Sequence, residues 1–179
     1  MSADEADGET PEGSADEREA RDASYLKERV YATFTGLAIV LVIMNNADHH
    51  DALHSLYALV IGVLGITTAG YLSDIIAHLA VHREFPDRQE HLHMLRVAAG
   101  ALSTVIVPGA ILGLAALGVF TLEGALRGAS IIYLATLALI AYLAVRRARL
   151  RPLQRVLALG SLVALGAVVI GVQTLAHAG

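Results

Sequence analysis

Thr67, Tyr71, Asp74, His78 and His82 recur at steps of four, three, four and four residues inside an otherwise apolar stretch, residues 53–82. That spacing puts all five on one face of a helix. A carboxylate and imidazoles one turn apart suit two kinds of chemistry. Asp74, His78 and His82 are ligand types for Fe(II), Zn(II), Mn(II) or Co(II), with further ligands needed from elsewhere. With Tyr71 and Glu28, Asp74 and His78 can instead form a proton relay, because imidazole changes charge near neutral pH. The competing reading is an ion pair of Asp74 or Glu28 with Arg29, with His82 merely interfacial. Keeping a carboxylate inside a membrane-length helix is costly, which favours a functional role.

Two shorter segments hold further ligand types. Asp48, His49, His50, Asp51 and His54 fall within seven residues, where they suit metal capture or release. The alternative is a polar turn in which Asp48 or Asp51 caps the following helix. Glu84, Asp87, Glu90, His91 and His93 follow the stripe and offer a cation-collecting site, or simply a charged inter-helix loop. On the preceding apolar segment, Glu28, Tyr31 and Thr35 share a face and could be presented to Asp74 and His78.

The elements that must position these residues are helices in a bilayer. The chain is 55% hydrophobic and 17% charged, with a mean hydropathy of +0.58, values outside the ordinary range for a soluble domain. The apolar residues fall in blocks near 29–46, 53–82, 96–119, 125–146 and 153–176, each close to the ~20 residues of one crossing. The expectation is an all-α, polytopic bundle of five transmembrane helices occupying residues 25–179. Pro108, followed by Gly109 and Gly113, predicts a kink in the third. Twelve of the 13 Lys and Arg lie in the N-terminal segment, the loop between the second and third blocks or the loop between the fourth and fifth, counting residues at the block ends; only Arg127 lies on the other side. By the positive-inside rule the N-terminus is cytoplasmic and the C-terminus outside, in a bacterial plasma membrane.

Residues 1–24 form an acidic tail with Asp4, Glu5, Asp7, Glu9, Glu12, Asp16, Glu17, Glu19 and Asp22, expected to be disordered, with helix expected near Ala15 to Ser24. The tail accounts for the net charge of −4, and the remainder is basic. The absence of cysteine excludes disulfides and thiolate chemistry. Phosphate-loop, nucleophile-elbow and two-histidine metalloprotease motifs are missing. The basic run Arg146 to Arg155 reads as a lipid-headgroup anchor, with no support for nucleic acid. Small residues at Gly160, Ala164, Ala167 and Gly171 suit close packing within the chain or a homodimer. Five helices enclose little volume, so a pathway between protomers is expected.

The chain resembles, in layout, the vacuolar iron transporter-like five-helix membrane proteins. The resemblance rests on Glu28-Arg29-Val30-Tyr31 and Gly36 in the first helix, and on Ala69-Gly70-Tyr71-Leu72-Ser73 in the second. An acidic, His-bearing segment and a basic loop before a Gly-rich last helix extend it. The chain is also similar to small actinobacterial integral membrane proteins. What the family resemblance implies is a dimeric, proton-coupled divalent-cation exporter. The sequence departs from that family where Phe34-Thr35-Gly36 stands in place of an Asp beside the glycine, and it lacks the Met-rich second helix and the long Glu-rich cytoplasmic helices. The function expected is proton or divalent-cation transport through Asp74 and His78. The alternatives are a non-transporting subunit or scaffold with a membrane-protein partner, and a membrane-embedded metal-dependent enzyme.

Overall fold

The computed structural model describes residues 11–46, 50–147 and 160, with side chains for 22–46, 50–146 and 160. Among the described residues all regular structure is helical. Helix α1 is Pro11–Met44, α2 is Ala52–His82, α3 is Arg88–Leu102, α4 is Ile106–Ala116 and α5 is Leu122–Arg147. Proline at the first position of α1 needs no amide hydrogen there, and its fixed φ suits a helix start. The helix thus takes in the second half of the acidic segment, beginning four residues before the stretch around Ala15.

One turn of 3₁₀ helix, Ser103–Val105, separates α3 from α4. Pro108 lacks an amide hydrogen for the carbonyl of Thr104, and its ring crowds that carbonyl, so the α-helical ladder breaks within this turn. The Thr104 and Ser103 hydroxyls bond back to the carbonyls of Ala101 and Gly100, at 2.7 and 2.6 Å. This is the proline-centred interruption that the sequence places in the third apolar block.

Three helical stretches are long and apolar enough to cross a membrane: Ala52–His82, Arg88–Ala116 and Leu122–Arg146. Only 17–22% of each apolar window is buried inside the molecule, so most of the apolar surface faces outward, as a lipid solvent would require. At 31 residues α2 is about 46 Å long against ~30 Å of hydrocarbon, so it extends beyond one bilayer core. In α1, Lys27, Glu28 and Arg29 interrupt the apolar run, which is then confined to residues 30–44. Apart from Gly160, the expected fifth span, 153–176, lies outside the described residues, as do Asp48 and His49.

Helix α1 packs against α2, α3 and α5, while α4 lies against α2 and α5. Its buried face carries Ala32, Thr33, Gly36, Leu37, Val40 and Ile43. The buried face of α5 carries Ala125, Leu126, Ala129, Ser130, Tyr133 and Leu137. Small residues four apart occur on both, a pattern that lets backbones approach where packing rather than hydrophobic exclusion holds helices together. A Cβ on Gly36 would stand 2.5 Å from the Tyr133 hydroxyl, so the glycine makes room for that ring. On α2, Ser55, Leu59, Val63 and Thr67 form one buried line at strict spacing of four. Beyond Thr67 the same face turns polar.

Candidate functional site

Two clefts open along α1, and the first holds the residues that the sequence singles out. It lies between α1 and α2, has a volume of about 270 Å³, and is lined by Lys27, Glu28, Tyr31, Gly70, Ser73 and Asp74, with Ile66 and Ala69 toward its apolar end. Two carboxylates from different helices therefore face one space. The Glu28 side chain is only 12% exposed and lies 3.4 Å from Lys27 Nζ. A Cβ at position 70 would stand 2.7 Å from Glu28 Oε2, so glycine there lets the carboxylate lie against the α2 backbone. The ion pair with Arg29, considered from sequence, does not form. Glu28 pairs with Lys27, and no described carboxylate pairs with Arg29.

Farther along α2, His78 faces α3, and His82 is exposed one turn beyond it. His78 Nε2 lies 3.5 Å from Glu90 Oε2, and the two imidazole rings are 4.6 Å apart between centroids. Tyr71 meets His91 edge to face at 6.1 Å. The stripe on α2 and the acidic, histidine-bearing segment after it, separate in sequence, thus form one patch. The chain reverses because Arg83 adopts a left-handed conformation (φ 59°) and returns its amide to Leu79, ending α2. Asp87 then starts α3 through a reciprocal cap: its carboxylate accepts from the Glu90 amide at 2.7 Å, and Glu90 accepts from the Asp87 amide at 2.8 Å. Glu90 is thereby oriented by the cap while facing His78. His93 is half-buried on α3.

At the other end of α2, Asp51 is the helix cap, accepting from the His54 amide at 2.6 Å. The His50 and His54 rings stack face to face, 4.9 Å apart and within 9° of parallel. The structure thus supplies the capping role directly, and adds a ring stack. Among the described residues, no group of three or more His, Asp or Glu is arranged to hold a metal ion. The polar side chains meet in pairs: Glu28 with Lys27, His78 with Glu90, Tyr71 with His91.

Lys27 is the site residue that sequence reasoning missed as a lining group. Its spacing of four from Tyr31 on α1 was the available signal, since it sets both on the face beside Glu28. Thr67, at the head of the stripe, is buried with a hydroxyl lacking a partner among the described residues. Comparison with protein-family models, curated proteins and solved structures finds no match to the chain.

Proposed function

We propose that the protein is an integral membrane transporter that moves a proton, or a divalent cation in exchange for protons. The observation that carries this reading is the convergence of Glu28 and Asp74 on one cleft between α1 and α2. Two carboxylates facing one space can share a proton or a cation, and low dielectric strengthens that preference. Beyond the cleft the polar face of α2 continues to the His78–Glu90 pair, where an imidazole and a carboxylate 3.5 Å apart would extend the relay. His78 lies one turn from Asp74, so the relay runs along a single helix face. In this reading the protein spans a bacterial plasma membrane five times with its N-terminus cytoplasmic, and a homodimer completes the pathway. The metal reading keeps Asp74, His78 and His82 as ligands, with the cation as cargo.

Flux into proteoliposomes of the full chain, under imposed proton and divalent-cation gradients, tests the proposal. Asp74→Asn and Glu28→Gln are expected to abolish or reduce flux severely while leaving helix content and monodispersity unchanged. Equal flux in wild type and both variants would rule out this cleft as the pathway. No flux under any gradient, with a stable heteromeric complex recovered on gentle extraction, would favour the subunit reading.

A further inference from the structure

The second cleft lies on another side of α1, against α5, and the proposed transport leaves it unused. It has a volume of about 290 Å³ and is walled chiefly by Leu26, Leu139, Ile140 and Leu143, with Tyr25 and Arg29 supplying its polar end. Arg29 is half-buried. One of its terminal nitrogens approaches the Tyr25 hydroxyl at 3.4 Å, its guanidinium carbon stands 5.7 Å from the centre of that ring, and its Nε is buried with no partner among the described residues. A half-buried guanidinium without a counter-ion is costly, because desolvation is not offset by pairing.

Among the described residues no carboxylate pairs with that guanidinium. Glu28 is its neighbour, but the helix turns it about 100° away, where it lies against Gly70 and Lys27. Asp22 is seven residues upstream on the same continuous helix, about 10 Å along the axis. After Glu123 the sequence contains no Asp or Glu at all, while Arg146, Arg147, Arg149, Arg151 and Arg155 follow α5 or end it. An anion from outside the chain would supply what the described residues do not. The cleft's walls state what else that ligand must bring. Leu26, Leu139 and Leu143 are 39%, 57% and 44% exposed, an open apolar trough beside a cation.

We propose that the cleft between α1 and α5 binds an anionic phospholipid, its phosphate on Arg29 and the Tyr25 hydroxyl and an acyl chain along Leu26, Leu139, Ile140 and Leu143. Guanidinium matches phosphate oxygens through several donors, and the exposed leucines match hydrocarbon. The site depends on residence in a bilayer and is independent of what is transported.

Native mass spectrometry of the full chain, released from micelles after incubation with phosphatidylglycerol or phosphatidylcholine, tests it. Wild type should retain phosphatidylglycerol preferentially by roughly tenfold, the size of one charge-assisted hydrogen bond, and Arg29→Gln should lose the preference. Arg127→Gln, a change at an exposed arginine on the other end of α5, should keep it. Ile140→Trp, which fills the apolar trough and leaves Arg29 in place, should also weaken retention and serves if Arg29→Gln fails to fold. Retention unaffected by either cleft variant would overturn the proposal and move the lipid to the arginine run that follows α5. Glycerol phosphate or inorganic phosphate binding as tightly as phosphatidylglycerol would overturn it in favour of a free-phosphate site. A melting temperature lowered by Ile140→Trp with unchanged lipid retention would overturn it in favour of occupancy by residues 153–176.

Discussion

Glu28 and Arg29 are adjacent on α1, yet they end in different clefts. Glu28 faces α2, where Lys27, Ser73 and Asp74 make a polar space. Arg29 faces α5, where leucines and an isoleucine make an apolar one. The two opposite charges do not pair with each other. On a helix they point about 100° apart, and packing α2 and α5 on different sides of α1 keeps them separate. A single turn of helix can thus hand a carboxylate to one cleft and a guanidinium to another. Net charge along the sequence does not reveal that division.

The comparison breaks most completely if the two charges are exchanged. Glu28→Arg with Arg29→Glu preserves composition and local net charge but places a cation beside Asp74 and an anion in the apolar cleft. Flux and phosphatidylglycerol retention should both be lost, measured in proteoliposomes and by native mass spectrometry. Retention of either function would show that the corresponding cleft reads charge at a distance rather than by contact.

A second break acts on the structure that holds the clefts apart. Gly36→Ala would drive a Cβ into the Tyr133 ring, which is buried and has little room to move. Overpacking of this kind typically costs about 1–3 kcal/mol. A lower melting temperature of the purified protein is expected, with both functions weakened together because α1 and α5 must shift.

The third change sharpens the comparison by touching one cleft alone. Gly70→Ala meets only the far end of the flexible Glu28 side chain. The carboxylate should move out of the α1–α2 cleft at little cost in stability, lowering flux several-fold while phosphatidylglycerol retention stays the same. Unchanged flux would mean that Glu28 does not need to lie against α2. A change at the mouth separates it from the cleft in the same way. His78→Gln removes the imidazole that faces Glu90, so flux should fall several-fold while helix content and phosphatidylglycerol retention stay the same. Flux unaltered by His78→Gln would remove the His78–Glu90 pair from the relay.

Much of this arrangement was legible in the sequence. The second apolar block was expected at 53–82 and α2 runs Ala52–His82, because long hydrophobic periodicity bounded by Asp51 and Arg83 leaves few alternatives. Pro108 announced the break between α3 and α4 for a local reason, a missing amide hydrogen. Glu28 and Asp74 were both flagged, but their facing each other depends on helix pairing, which no single-helix pattern encodes. The meeting of His78 with Glu90 depends on where the chain reverses, and the left-handed Arg83 that sets the reversal carries no glycine to signal it. Lys27 reads in sequence as one more positive-inside charge, and only the packed α2 turns it into a wall of the cleft.

The smallest expected effect concerns Tyr133, which lies on α5 one turn from Thr136 at the edge of the apolar cleft. Its ring is 1% exposed and its hydroxyl has no hydrogen-bond partner among the described residues. A buried donor left unpaired costs free energy, whereas an apolar group of the same shape does not, so Tyr133→Phe should leave the melting temperature unchanged or raise it slightly. The ring that fills the space beside Gly36 is retained, so flux and phosphatidylglycerol retention should both persist. The contrast with Gly36→Ala is then informative: one contact is disturbed from its two sides, by adding a carbon to α1 or removing an oxygen from α5. If Tyr133→Phe instead lowers the melting temperature, the hydroxyl has a partner in the membrane-embedded protein, and the α1–α5 contact is held by a hydrogen bond as well as by shape.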